Sequence, residues 1–194
     1  MRRVALLATL ALALPLAAWA NSSTDITNRL GTITGSSSGL SLTGSIMISY
    51  GSIIGPNLGT VSFTTGMFTS GDPQHGGTLA PGGTFTIMGN GNNGVPNGVI
   101  FSGTFTSATW NLITLANGTH EYTLVGAVQS TNGIFGTTSQ LTATVNTGKG
   151  FFTGSVDLSS GDTNLTVPEP GTLGLLGTGL VGVAGALRRK LHIG

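Results

Sequence analysis

Residues 40–50 read LSLTGSIMISY, and this stretch decides the fold. Every second position is apolar or glycine, while four of the five positions between them are serine or threonine. Alternation with a period of two is typical of a β-strand that buries one face. The pattern predicts a single inward-facing series, formed by Leu40, Leu42, Gly44, Ile46, Ile48 and Tyr50.

The same alternation recurs on both sides of this stretch, in short runs that end in Gly, Pro, Asn or Asp. Threonine fills the outward positions, and Asn-Gly pairs supply the positive φ that tight hairpin turns need. Phe101 and Phe105 keep one parity, whereas Trp110 takes the other, which predicts a bulge or tight turn near Ser107. No run has a helical period. Residues 40–166 are therefore predicted to form an all-β domain, an antiparallel sandwich or, alternatively, a small closed barrel.

Composition limits the classes of function. Only 7% of the 194 residues are charged, against about 25% in typical domains, and there is no cysteine. Residues 21–170 hold two basic and six acidic residues, so this part carries a net charge of −4 and lacks a basic footprint for nucleic acid. Residues 21–39 are rich in Ser, Thr and Gly, and are predicted to form a flexible lead-in.

The N-terminal 20 residues have the three parts of a secretory signal peptide. Arg2 and Arg3 precede an apolar run, and Ala18-Trp19-Ala20 offers the small-x-small pattern that signal peptidase cuts. We predict cleavage after Ala20. The alternative, an uncleaved membrane anchor, is disfavoured because the apolar run is short for a membrane span.

The C-terminus has a second ordered pattern. Val167-Pro168-Glu169-Pro170 precedes an uncharged stretch from Gly171 to Leu187, and Arg188-Arg189-Lys190 follows it. As a helix this stretch is about 25 Å long, near the lower limit for crossing a bilayer. The basic cluster marks the cytoplasmic side, so everything between the two basic ends is predicted to lie outside the cytoplasm.

These three parts resemble the PEP-CTERM sorting signal of exported Gram-negative proteins. The resemblance covers residues 167–190 and implies processing by an exosortase, a membrane-embedded cysteine protease-transpeptidase. It also implies an association with exopolysaccharide production. A plain C-terminal membrane anchor is the alternative. The departure from the pattern is His192-Ile193-Gly194, which trails the basic cluster.

Two short motifs match catalytic or cofactor patterns without the context that those patterns need. Residues 35–39 match G-x-S-x-G, but the strand-to-helix elbow that exposes a nucleophilic serine is not predicted there. Residues 89–94 match G-x-G-x-x-G and continue into turn residues instead of a helix; residues 177–182 match it inside the sorting tail. We predict no catalytic, cofactor-binding or metal-binding residues.

A few polar and aromatic side chains remain as weaker candidates. Asp72-Pro73-Gln74-His75 is predicted to be a turn in which Asp72 bonds its own backbone. His120 and Glu121 are predicted to lie on opposite faces at the start of a strand, and all four titratable groups are interpreted as solvated surface. Calcium at Asp72, or around Asp157 and Asp162, stays an open alternative.

The predicted function is that of an exported, non-enzymatic structural or adhesive protein of the cell surface. The partners are signal peptidase and exosortase during processing, the membrane through residues 171–187, and exopolysaccharide; nucleic acid is excluded. One alternative is a carbohydrate-binding module that uses Trp110, Tyr122 or the Asn-rich loops. A second is a polysaccharide hydrolase, which needs a cleft with two carboxyl groups from the set Asp72, Glu121, Asp157 and Asp162.

Overall fold

The computed structural model describes residues 23–131 and 138–166. They form eleven strands: β1 (Ser23–Arg29), β2 (Thr32–Ser36), β3 (Gly39–Tyr50), β4 (Ile53–Thr65), β5 (Phe68–Asp72), β6 (Gly76–Leu79), β7 (Gly82–Asn90), β8 (Asn97–Thr114), β9 (His120–Ser130), β10 (Thr138–Gly148) and β11 (Ser155–Thr166). Every pairing between them is antiparallel. The prediction of an all-β antiparallel domain is confirmed.

All the strands belong to one sheet that closes on itself. The path runs β8-β7-β4-β3-β1-β11-β10-β9, and β9 pairs again with β8. The β5–β6 hairpin pairs with β8 at residues 108–110, beyond Phe105, where the pairing of β8 with the first residue of β7 stops. The hydrogen bonds do not form the two separate sheets of the predicted sandwich. They form one closed sheet, as in the predicted alternative of a small closed barrel. Closure leaves these eight strands without an unpaired edge.

The predicted lead-in at 21–39 is wrong for the part that the structure describes, because β1 and β2 belong to the sheet. Both lie between β3 and β11 and act as one bent strand. Ile26 and Ile33 are fully buried, so each strand contributes to the core. At the bend, Gly31 has φ 82°, and a Cβ there would come within 2.5 Å of the carbonyl oxygen of Thr43. In β2, Thr32, Thr34 and Ser36 occupy positions that alternate with the buried Ile33 and with Gly35.

Strand β3 changes its inward face halfway along, which corrects the single series predicted from parity. Leu40 and Leu42 are buried, but the register with β4 then shifts, and the next buried residues are Ser45 and Met47. Ser45 is the acceptor for Asn28 Nδ2 at 2.7 Å, and its hydroxyl donates to the carbonyl of Arg29. The bulge thus places a satisfied polar pair inside the closed sheet.

The predicted bulge near Ser107 is confirmed. The register between β8 and β9 shifts between Phe105 and Ser107, and the inward series continues with Ala108 and Trp110. Phe105 contacts Phe63 and Phe85 edge-to-face, with ring centroids 5.9 and 6.2 Å apart. These aromatic contacts form the middle of the core.

The two ends of the domain differ. Ser23 pairs with Thr166, so the first and last described residues lie at one end of the closed sheet. Strand directions place four connections at the opposite end, which we name the distal end: residues 36–39, 72–76, 115–119 and 148–154. The described ranges contain no helix long and apolar enough to span a membrane. The predicted signal peptide at 1–20 and helix at 171–187 lie outside them.

Candidate functional site at the distal end

The turn that connects β5 to β6 is built around Asp72. Its Oδ1 accepts hydrogen bonds from the backbone N–H groups of Gln74, at 2.8 Å, and His75, at 2.9 Å. The predicted turn with its side-chain-to-backbone bond is therefore confirmed. The His75 ring adds a contact of 3.0 Å from Nδ1 to Oδ2 of Asp72. Hydrogen bonds from the His75 ring, the His75 N–H and the Gln74 N–H hold the pKa of Asp72 below its usual value.

Two buried aromatic side chains anchor this turn from below. Trp110 Nε1 donates to the carbonyl oxygen of Pro73 at 2.9 Å, and the Tyr122 hydroxyl donates to that of Gln74. The two rings stack with centroids 5.3 Å apart, and their side chains are 1% and 0% exposed. Neither ring can therefore stack on a sugar from solution, which rules out these two residues, though not the Asn-rich loops, as the site of the carbohydrate-binding alternative. Both are core residues whose polar atoms hold a surface turn.

The loop between β10 and β11 covers the same aromatic pair with one phenylalanine and exposes another. Phe152 is buried against Trp110 and Tyr122, and its N–H donates to the Tyr122 hydroxyl at 3.0 Å. Phe151 is 41% exposed. Its ring stacks on that of His120 at 4.3 Å and lies 5.5 Å from that of His75. The distal end thus presents an exposed phenylalanine that stacks on His120 and has the tilted ring of His75 beside it.

His120 is not the solvated residue predicted from the sequence. It is 9% exposed, and its Nδ1 lies 3.0 Å from the Thr114 hydroxyl. The Phe151 ring covers it, a contact 31 residues along the chain that a local pattern does not reveal. Glu121 is half-buried. It pairs across the sheet with Ile113 and Asn146.

The carboxyl pair that the structure does bring together joins Asp162 to Asp25, a residue that the sequence analysis placed in the lead-in. Both lie on outward positions of neighbouring strands, one diagonal step apart. Partial burial, the Asp25 charge and a hydrogen bond to Asp25 raise the pKa of Asp162. Asp157 instead accepts a hydrogen bond from the Thr32 hydroxyl. Within the described ranges no three metal-ligating side chains cluster, so the calcium alternative gains no support.

We expect Asp162→Asn to stabilise the protein at pH 7 by about 0.5 kcal/mol, because it removes a like-charge contact between adjacent strands. The raised pKa means that the folded state binds the proton more tightly than the unfolded state. The stability that the folded state gains by binding this proton is complete below pH 3.8, the usual pKa of an aspartate. It is lost as the pH rises through the raised pKa of Asp162. Urea unfolding at several pH values measures the difference, which should widen from acid to neutral pH. Asp157→Asn is the control on the same strand. A variant less stable than wild type at pH 7 would contradict the repulsion.

The remaining motifs lie in turns. Residues 36–39 form the hairpin turn between β2 and β3, so no helix follows the G-x-S-x-G match. Residues 92–94 form a single 3-10 turn, after which Val95 is extended. The match at 177–182 lies outside the described residues.

The described part of the surface includes a shallow groove of about 520 Å³ beside Phe105 and another of about 300 Å³ beside Leu40. Their linings contain no Asp, Glu or His side chain among the residues that the structure describes.

Comparison with known proteins adds one finding, and it concerns the C-terminal residues. A family model described as a PEP-CTERM protein-sorting motif matches residues 166–190. No curated protein and no solved structure matches the chain. The match includes Val167, Pro168, Glu169, Pro170, Arg188, Arg189 and Lys190, the residues on which the sequence prediction rested. The chain therefore carries a PEP-CTERM protein-sorting motif, which implies that it is exported and processed by an exosortase.

Proposed function

We propose that this protein works at the cell surface as a structural or adhesive component, linked to exopolysaccharide or the cell envelope, and that it is not an enzyme. The observation that carries the proposal is the sorting motif at residues 166–190. A motif of this kind assigns a destination, and the all-β domain before it is what the sorting delivers.

The proposed route has three steps. Signal peptidase removes residues 1–20 after Ala20 during export. The uncharged stretch 171–187 then holds the chain in the membrane, while Arg188, Arg189 and Lys190 stop further transfer. Exosortase finally acts near Val167-Pro168-Glu169-Pro170 and releases or attaches the domain outside.

The outward face of the domain suits a role among hydroxyl-rich polymers. It carries cross-strand pairs of short hydroxyl side chains, such as Thr64 with Thr84 at 3.1 Å and Thr34 with Ser41 at 2.7 Å. These side chains both donate and accept hydrogen bonds, and few charges interrupt them. A sheet whose main strands are all paired also resists edge-to-edge association with its neighbours.

The geometry gives the hydrolase alternative less support. Asp72 is bonded into its own turn, Asp157 accepts from Thr32, and Asp162 contacts Asp25 on an outward strand face. Three of the four carboxyl groups considered for catalysis are thus engaged separately.

Deletion of residues 167–194 should release the domain from the cell. We expect wild-type protein in the envelope and surface fractions and the shortened protein in the medium or periplasm, measured by fractionation and immunoblotting. The matched control removes only His192, Ile193 and Gly194, which follow the basic cluster, and should fractionate as wild type. Identical fractionation of the long deletion and wild type would reject the sorting claim. Intact-mass analysis of the native protein would locate both cleavage sites.

A further inference from the structure

We propose that the distal end of the domain binds a neutral polysaccharide, with a pyranose ring packed on Phe151 and a hydroxyl group bound by His75. The proposal deepens the surface function above by naming the polymer class and the site. It concerns the folded domain alone, so it can fail while the sorting claim holds.

Phe151 offers the surface for the sugar. Phe151 is 41% exposed, and no other phenylalanine, tyrosine or tryptophan in the described ranges is as exposed. One face of its ring is covered by His120, with planes only 15° apart. The negative face of an aromatic ring attracts weakly positive groups, such as the C–H groups on the apolar face of a pyranose.

The backbone on both sides of Phe151 is fixed before any ligand arrives. The Thr147 hydroxyl donates to the carbonyl oxygen of Gly150, and the Phe152 N–H donates to the buried Tyr122 hydroxyl. Phe152 itself fills the space above Trp110 at a centroid distance of 5.8 Å. A side chain that is held in place in this way loses little conformational freedom on binding, which favours affinity.

His75 supplies a directed polar group beside the ring. Its Nδ1 faces the carboxylate of Asp72, which can only accept, so in the neutral imidazole Nδ1 carries the proton. Nε2 is then an acceptor for a sugar hydroxyl. The His75 side chain is 60% exposed, and its ring centroid lies 5.5 Å from that of Phe151. An apolar platform with an adjacent, oriented polar group can contact the C–H face of a sugar ring and one of its hydroxyl groups at the same time.

Charge selects a neutral polymer over an acidic one. Residues 21–170 carry a net charge of −4, and the carboxylate of Asp72 lies within the proposed site. Polymers rich in uronic acids are therefore repelled, whereas neutral hexose polymers are not. The site lies at the end of the domain opposite Ser23 and Thr166.

Affinity electrophoresis of the full-length protein in detergent, through gels that contain dextran, mannan or alginate, tests the site. We expect retardation by at least one neutral polymer and none by alginate. Phe151→Ala should raise the dissociation constant at least tenfold, and His75→Ala should raise it three- to fivefold. Ile113→Ala, which trims another exposed apolar side chain on β8, should leave it unchanged.

Any of three outcomes overturns the proposal: no retardation of wild type by either neutral polymer, retardation by alginate, or unchanged binding in Phe151→Ala. Thermal unfolding checks that the variants fold, and His75→Ala provides the decision should Phe151→Ala unfold. Deletion of residues 167–194 should not change the dissociation constant, which separates this site from the sorting claim.

Discussion

Trp110→Ala is expected to lower the free energy of unfolding by about 4 kcal/mol, in the range for loss of a buried aromatic side chain. Trp110 is 1% exposed, stacks on Tyr122, and contacts Phe152 edge-on. Its removal leaves a cavity under the distal end and takes the hydrogen bond away from the Pro73 carbonyl. Packing and turn are therefore lost together.

Urea or guanidinium unfolding, followed by circular dichroism, measures this loss. Ile113→Ala on the same strand is the control, and because Ile113 is exposed its effect should stay within about 0.5 kcal/mol. A loss below about 1 kcal/mol for Trp110→Ala would mean that the tryptophan is not packed as described. The variant is also a poor test of sugar stacking, since any change in binding would follow from the displaced turn at residues 72–75.

The strands could be predicted from sequence because side-chain parity is a local property. The bulge near Ser107 was predictable, since Phe101 and Phe105 differ in parity from Trp110 and every one of these residues is aromatic. The bulge in β3 was not, because Ile46 and Met47 are both apolar and either could face inward. Met47 faces inward in the structure, in the same register that brings Ser45 to Asn28, a contact between residues 17 positions apart.

The sequence could not decide between a closed sheet and a sandwich, for a related reason. Alternation tells which face of a strand is buried and does not tell which strand lies beside it. The double pairing of β8, with β7 on one side and β9 on the other, depends on contacts along its whole length. The composition of residues 23–36 suggests a linker although they form β1 and β2, because Ile26 and Ile33 are the only large apolar residues of these strands that face the core.

The candidate site also combines features that follow from neighbouring residues with features that depend on contacts between distant residues. The Asp72 turn was predictable because its bonds join neighbouring residues, and the sorting motif because it is linear. The anchoring of that turn was not, since Trp110 and Tyr122 reach it across 37 and 48 residues. Without those contacts the two rings look like candidates for ligand binding, and Phe151 looks no different from Phe152.

Tyr122→Phe is expected to lower the free energy of unfolding by about 2 kcal/mol while leaving the packing of the ring unchanged. The hydroxyl donates to the Gln74 carbonyl and accepts from the Phe152 N–H, so one oxygen atom links the turn at residues 72–75 to the loop at 148–154. Its removal leaves a buried N–H and a carbonyl without that partner. The cost is that of two unmet polar groups, because the apolar contacts of the ring remain.

Unfolding experiments on Tyr122→Phe and on Tyr50→Phe test this directly, because the described part of the chain has these two tyrosines and the ring of Tyr50 is only half-buried. We expect less than about 0.5 kcal/mol for Tyr50→Phe. Hydrogen exchange gives the sharper readout: the Phe152 amide should lose protection in Tyr122→Phe, while amides of the central strands keep theirs. Equal losses of stability in the two variants, with unchanged protection at Phe152, would show that the distal turn and loop are held by packing alone. The pre-organisation of Phe151 would then have to come from its contact with His120.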